Sequence, residues 1–169
     1  YITDLTGWCE ILGLYLMGYG SNDKNLYLNN ILVTNLIIPD RVKTISSYAF
    51  YGCSKITSVT IPDSVTSIGD SAFYNCSGLT SVNYFGTIDQ WAGINFSSSF
   101  SNPLYYAKKL YINNELVTEA NLSTTTKISA YAFYNCSGLT SVTIGRGVTS
   151  IGNSAFSNCS GLASIIIPS

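Results

Sequence analysis

Few residues of this chain could do chemistry, and their spacing decides between the chemistries open to them. There is no histidine among 169 residues, so the commonest general base and the commonest zinc ligand are both missing. Nucleophilic or metal chemistry would fall to cysteine. Four of the five cysteines are periodic: the interval from Cys53 to Cys76 is the same as that from Cys136 to Cys159. Stacked one per unit, each pair would come about 4.8 Å apart, inside the roughly 4.4–6.8 Å Cα range open to a disulfide. A column of buried, inert thiols fits that spacing without further demands. A disulfide would need both sulfurs to turn toward each other out of a packed column, and zinc would want short paired spacings such as Cys-x-x-Cys, which the sequence lacks. The pattern favours buried thiols, with no metal and no cofactor. Cys9 has Ala92 as its counterpart and stands outside the column.

The carboxylates are scattered. Asp40 and Asp63 hold the same turn position in consecutive units, Asp70 and Asp89 are placed as helix caps, and Glu115 follows a hairpin turn. Such acids serve turns and surface; the alternative, a carboxylate pair for acid–base work, would need two of them in one concavity. No nucleophile–base constellation is visible, and the chain is expected not to be an enzyme. Asn75-Cys76-Ser77, Asn135-Cys136-Ser137 and Asn158-Cys159-Ser160 match the glycosylation pattern formally, but they follow simply from the repeat.

The elements that must position these residues are themselves repeated. Sliding the chain against itself by the cysteine interval superimposes Val42, Ile45, Ala49, Phe50, Cys53, Ile56, Val59 and Ile61 on Val65, Ile68, Ala72, Phe73, Cys76, Leu79, Val82 and Tyr84. A longer shift carries Trp8 onto Trp91, Phe50 onto Phe133, Cys53 onto Cys136 and Cys76 onto Cys159. The chain reads as one domain, 1–169, made of two tandem copies, 1–83 and 84–169. Each copy has an irregular Trp-containing unit followed by two regular 23-residue units. Self-similarity at this period is the mark of a solenoid, whose units are stable only when stacked.

Within a unit, Ile56-x-x-Val59-x-Ile61-Pro62 alternates and then stops at a proline, a short strand and its end. Six such rungs are predicted, near residues 33–38, 56–61, 79–84, 117–122, 139–144 and 162–167. Between rungs, the stretch from Asp70 to Cys76 predicts an aspartate-capped helical turn that buries Ala72 and Phe73, with Gly78 as a left-handed stop. Thr87-Ile88-Asp89-Gln90 fits a capping box ahead of Trp91, and Asp4 holds the matching position in the first copy. Asn29-Asn30 and Asn113-Asn114, each between apolar runs, predict two-residue hairpin turns.

Two surfaces offer binding groups. The outward strand positions Ser58, Thr60, Ser81, Asn83, Ser141 and Thr143 form a hydroxyl-rich, uncharged sheet face able to hydrogen-bond. Tyr51, Tyr74 and Tyr134 lie in register on the opposite side, with Tyr105 and Tyr106 in the irregular unit. Tyr and Trp dominate binding hot spots, so these rings are the better anchors; packing between units is their other use.

Composition excludes some partners. Only 10% of the residues are charged and the net charge is −1, against roughly 25% charged in ordinary soluble proteins. The dispersed Lys and Arg leave no footprint for a phosphate backbone. No apolar run approaches the roughly 18 residues of a membrane span.

Ile-Gly-x-Ser-Ala-Phe-x-Asn-Cys-Ser-Gly-Leu-x-Ser, at 68–81 and 151–164, closely resembles the BspA-type leucine-rich repeats of bacterial surface proteins. The Gly-Thr-x-x-x-Trp element at 86–91, Asn102-Pro103-Leu104-Tyr105-Tyr106-Ala107 and the hairpin from Leu110 to Thr118 resemble the longer unit such proteins intersperse. The first copy departs from this, with a Gly-rich stretch from Ile11 to Asp23 in place of the Asn-Pro-Leu-Tyr-Tyr-Ala segment. The resemblance implies an α/β repeat solenoid: a right-handed leucine-rich-repeat coil with short parallel strands on one side and short helical turns on the other. It also implies secretion or a place on the bacterial cell surface, and an adhesive or recognition role toward host proteins, matrix proteins or glycans. A structural spacer that displays another domain is the alternative.

The chain lacks an initiator Met and stops just after a strand-like run, so it is expected to be a piece of a longer protein. The last rung, with Leu162, Ile165 and Ile167 and no capping unit after it, predicts either end-to-end association or a missing cap.

Overall fold

The computed structural model describes residues 4–10 and 24–167; the Gly-rich departure from Ile11 to Asp23 lies outside them. A short helix α1 (Leu5–Glu10) precedes a hairpin of β1 (Tyr27–Leu28) and β2 (Ile31–Leu32). The first regular units contribute β3 (Asn35–Ile37), β4 (Thr44–Ile45), β5 (Ser58–Pro62), β6 (Ser67–Ile68) and β7 (Ser81–Phe85). The second irregular unit holds α2 (Ile88–Gly93), β8 (Asn95–Phe96), α3 (Leu104–Ala107) and a hairpin of β9 (Leu110–Ile112) and β10 (Glu115–Leu116). β11 (Glu119–Leu122), β12 (Lys127–Ile128), β13 (Ser141–Ile144), β14 (Ser150–Ile151) and β15 (Ser164–Ile166) complete the coil.

All six predicted rungs carry a strand: β3, β5, β7, β11, β13 and β15. Parallel register places Leu36 beside Val59, Val59 beside Val82, and Val82 beside Leu110. The four side chains form one inward column, each no more than 1% exposed. Burying a side chain of this size is worth about 1.5–3 kcal/mol, so the column alone strongly selects the register. The rungs do not form one continuous ladder, however. One sheet runs β10-β9-β7-β5-β3 and a separate one β11-β13-β15, because the hairpin strand β9, not the fourth rung, pairs with β7. Both hairpins turn as predicted, with Asn29, Asn30, Asn113 and Asn114 all at left-handed φ.

The helical turns expected opposite the rungs are not there. That side carries a second pair of short parallel ladders, β4-β6-β8 and β12-β14, followed by an arc of consecutive turns. Helix among the described residues is confined to α1, α2 and α3, outside the regular units. The backbone shows why. Along the arc, the N–H groups of Ala49, Tyr51 and Cys53 close turns onto the carbonyls of Ser46, Tyr48 and Phe50. The alternate N–H groups of Tyr48, Phe50 and Gly52 instead donate to Asp70, Ala72 and Tyr74 of the next unit. A helix keeps its N–H groups for itself; left-handed residues at Tyr48 and Gly52 turn every second one outward. The same pattern joins Tyr131, Phe133 and Asn135 to Asn153, Ala155 and Ser157. A left-handed tyrosine costs roughly 1–3 kcal/mol, and the inter-unit hydrogen bonds, about 0.5–1.5 kcal/mol each, offset it.

Two expected caps have other roles. Asp70 caps no helix; its carboxylate accepts the Ser98 hydroxyl at 2.5 Å and stands 3.5 Å from the Tyr48 hydroxyl. Asp89 lies in the first turn of α2, whose capping box is made by Thr87 and Gln90. Its carboxylate accepts the Thr124 and Thr125 N–H groups at 3.0 and 2.8 Å, tying the helix to the approach to β12. Asp4 does cap α1, accepting the Thr6 N–H at 2.9 Å. Gly78 is not the left-handed stop: a Cβ there would run into the Ser54 carbonyl oxygen of the preceding unit, so close backbone approach is what requires glycine.

Candidate recognition surfaces

The outward strand positions behave as a face, but a divided one. Ser58, Thr60, Ser81 and Asn83 are half-buried neighbours on the first ladder, in the register Ser58 to Ser81 and Thr60 to Asn83. Ser141 and Thr143 sit on the separate second ladder. Several polar groups of the face already serve one another. Ser58 Oγ donates to Asn35 Oδ1 at 2.6 Å, Asn83 Nδ2 donates to Asn114 Oδ1 at 2.5 Å, and Asn83 Oδ1 accepts the Asn114 N–H at 3.1 Å. Beside the strands runs a threonine column absent from the sequence expectations. Thr57 and Thr80 donate their hydroxyls to Thr34 and Thr57 carbonyls, both at 3.0 Å, and Thr140 to the Thr118 carbonyl at 2.8 Å.

Tyr105 and Tyr106 lie elsewhere, on α3 against the turn arc, where they complete a continuous band of half-buried rings. Tyr48 meets Tyr51 with centroids 5.9 Å apart, Tyr51 meets Tyr74 at 5.7 Å, and Tyr74 meets Phe100 at 4.4 Å. Phe100 and Tyr106 each lie 5.0 Å from Tyr105. Tyr105 stacks nearly parallel on Tyr134 at 6.0 Å, and Tyr134 reaches Tyr131 at 6.1 Å. The band therefore crosses from the first copy to the second between Tyr74 and its neighbours Phe100 and Tyr105, and the Tyr105–Tyr134 stack then joins residues that precede and follow the break between β9 and β11. Tyr48, Phe100 and Tyr131 were missed by sequence reasoning. Tyr48 and Tyr131 are related by the longer shift, the one that carries Trp8 onto Trp91, and could have been found by it; Phe100 lies in an irregular stretch that gives no such signal.

The band is held from beneath. Asn75 N–H donates to the Tyr106 hydroxyl at 3.1 Å and Asn75 Oδ1 accepts from it at 3.3 Å, while burial raises the Tyr106 pKa. Asn135 Nδ2 donates to the Tyr105 carbonyl at 2.6 Å, and Asn158 Nδ2 to the Tyr134 hydroxyl at 3.1 Å. The Lys24 ammonium stands 5.1 Å above the Tyr51 ring. Each aromatic pair is worth about 0.5–1.5 kcal/mol beyond area burial, so the rings pack between units, as the second of their two expected uses requires, and are still only half-buried.

The five cysteines are free, buried thiols. Cys76 and Cys159 donate their S–H groups to the Phe50 and Phe133 carbonyls of the preceding unit at 3.1 and 3.0 Å. Burial pushes the Cys53 thiol up to about 11 and the Cys136 thiol to about 12. Burial, with Glu10 and Asp4 adding, takes Cys9 to about 12. Thiols in this state are poor nucleophiles. Among the described residues no three His, Cys, Asp or Glu side chains gather to hold a metal ion, and no helix is long and apolar enough to cross a membrane.

Stacked repeat units with buried Phe and Cys columns and a parallel rung ladder define a leucine-rich-repeat solenoid. A family model described as BspA type Leucine rich repeat region matches in six copies, over residues 22–124 and 107–169, and the chain belongs to that family. Similar solved structures include the Treponema pallidum (T. pallidum) leucine-rich-repeat protein TpLRR, 22% identical over 79% of this chain and 58% of that one, with a TM-score of 0.42. A leucine-rich-repeat protein from Bacteroides ovatus is 24% identical over 83% of this chain and 39% of that one, TM-score 0.48. A leucine-rich cell surface protein from Faecalibacterium prausnitzii is 22% identical over 79% and 47%, TM-score 0.36. The chain thus spans less than two thirds of each of these proteins. No curated protein matches it.

Proposed function

We propose that the chain is a non-enzymatic recognition module of a bacterial cell-surface or secreted protein, binding host or matrix proteins or their glycans through the aromatic band. The observation that carries this reading is the unbroken run of half-buried rings from Tyr48 to Tyr131. Rings already ordered by packing lose little entropy on binding, and tyrosine supplies apolar area with a polar tip. Tyr105 and Tyr106 are the anchors, at the middle of the band. Ser58, Thr60, Ser81, Asn83, Ser141 and Thr143 offer weaker polar contacts on the strand face, in two patches.

The second reading is a structural spacer, favoured by the mutual hydrogen bonding of Ser58 with Asn35 and of Asn83 with Asn114. A panel of extracellular-matrix proteins and glycans separates the two. Saturable binding that is lost in a Tyr105→Ala, Tyr106→Ala variant supports recognition. A blank panel at high concentration, with adhesion of the parent protein unchanged after deletion of one tandem copy, supports the spacer.

A further inference from the structure

The break in the rung ladder leaves two strand edges open within the chain. β11 is paired on one side only, with β13. The Thr140 and Gly145 N–H groups donate to the Thr118 and Leu122 carbonyls at 2.7 and 2.8 Å. Strand alternation therefore gives Thr118, Ala120 and Leu122 to β13 and turns the main-chain N–H and C=O groups of Glu119 and Asn121 to the opposite edge. None of these groups has a hydrogen-bond partner among the described residues. The hairpin presents a second such edge. Val117 N–H donates to the Leu110 carbonyl and Glu115 lies opposite Ile112, which leaves the N–H and C=O of Leu116 on the outer side of β10.

A groove of about 340 Å³ lies here, lined by Ile88 of α2, Ile112, Leu116 and Val117, with Glu115 of β10 and Glu119 of β11. Both glutamates are exposed, and neither has an ion-pair or hydrogen-bond partner among the described residues. In a chain with only 10% charged residues, two unpaired carboxylates on one groove set its electrostatic character. The first copy builds the same groove without them. The shift that carries Trp8 onto Trp91 carries Leu5 onto Ile88, and aligning Asn29-Asn30 with Asn113-Asn114 carries Leu28, Leu32 and Val33 onto Ile112, Leu116 and Val117. Those four first-copy residues line a groove of about 360 Å³, where Ile31 and Asn35 hold the places of Glu115 and Glu119. Helix, hairpin and open rung thus enclose a groove in each copy, neutral in the first and acidic in the second.

We propose that the acidic groove binds an extended, lysine- or arginine-bearing segment of a partner protein, which adds to the open edge of β11 as a further strand. An open edge is a template for main-chain pairing, and bonds to the N–H and C=O groups of Glu119 and Asn121 supply the affinity, as in β-strand addition generally. Alternate side chains of the segment give the specificity: apolar ones pack on Ile88 and Ile112, and the cationic ones between them meet the two carboxylates. The site is separate from the aromatic band, whose Tyr105 and Tyr106 lie on α3, so each surface stands or fails alone.

The probe is the end-blocked peptide Lys-Val-Lys-Val-Lys-Val-Lys, titrated into the isotope-labelled chain of 18.2 kDa and followed by backbone amide shifts. The expected result is saturable shifts at Glu119 and Asn121, with none at Ile31 and Asn35 of the neutral groove. Affinity should fall about fivefold in the Glu115→Gln, Glu119→Gln variant, whose exposed positions leave the melting temperature unchanged. Binding should be lost when every peptide amide is N-methylated, which keeps the charge and removes the donors, and should persist in the Tyr105→Ala, Tyr106→Ala variant. Full affinity in the N-methylated peptide or in the double glutamine variant would overturn the proposal, as would loss of binding in the tyrosine variant. So would the absence of shifts at millimolar peptide, or shifts at Glu119 that grow with chain concentration alone, the mark of a second copy in the groove.

Discussion

The Trp91 indole donates its N–H to the carbonyl oxygen of Ala132 at 2.8 Å, and Trp8 makes the same bond to Ala49 at the same distance, 41 residues on in each case. In regular units the equivalent carbonyls, Ala72 and Ala155, accept the backbone N–H groups of Phe50 and Phe133 in the preceding unit. Ala49 and Ala132 open their stacks and have an irregular unit before them. The indole takes the place of the absent backbone donor, which gives the tryptophan of each irregular unit a structural task beyond filling space.

Trp91→Phe keeps most of the ring and removes that donor. The Ala132 carbonyl keeps a second donor, Asn102 Nδ2 at 3.1 Å, so the loss is that of one hydrogen bond, about 0.5–1.5 kcal/mol, and the smaller ring adds a cavity. The expected outcome in urea denaturation is a loss of about 1–3 kcal/mol. Trp8 is only partly buried, so water can reach the carbonyl and Trp8→Phe should cost about 1 kcal/mol.

Two glycines at the same repeat position should respond oppositely to alanine. At Gly78 the new Cβ meets the Ser54 carbonyl; at Gly138 the nearest atom, the Val117 carbonyl oxygen, is 3.8 Å away. Neither has a left-handed φ. Thermal melts should show Gly78→Ala destabilised, and Gly138→Ala stabilised by about 0.4–1 kcal/mol through the unfolded chain.

The thiols set an alkaline limit. Folding raises the pKa of Cys53 to about 11 and of Cys136 and Cys9 to about 12, from 9.0, so above pH 9 the unfolded chain holds fewer protons than the folded one. Their contribution to stability is whole below pH 9 and is lost progressively as pH rises toward 12. Denaturation midpoints measured from pH 7 to 11 should fall above pH 9, and Cys53→Ala should flatten the fall.

Strand-face substitutions should matter less than those in the band. Ser81→Ala and Thr143→Ala remove rim-type contacts, worth under about 1 kcal/mol each, so titrations against a ligand found in the panel should change less than about fivefold.

What the sequence made legible follows from repetition. Ile56, Val59 and Ile61 alternate and recur, so rung, register and inward column could be read directly, as could the Asn-Asn hairpins and the Thr87 capping box, where local chemistry decides. The turn arc could not. Ala72 and Phe73 suit a helical turn by type, but the conformation is set by hydrogen bonds to the next unit, such as Phe50 N–H to the Ala72 carbonyl, and these are visible only once units are stacked. The break between β7 and β11 was hidden for the same reason, because the hairpin strand β9 competes for the β7 edge. Tyr105 and Tyr106 were legible as rings, but their stacking with Phe100 and Tyr134 joins residues brought together only by the coil.

The most direct measurement is the affinity of the intact chain for a matrix protein or glycan that it captures, by titration calorimetry, beside Tyr105→Ala and Tyr105→Phe. A hot-spot ring is worth at least about 2 kcal/mol. The expected result is a loss of about 30-fold in Tyr105→Ala, with binding kept in Tyr105→Phe and both variants folded. Unchanged affinity in folded Tyr105→Ala would contradict recognition through the aromatic band.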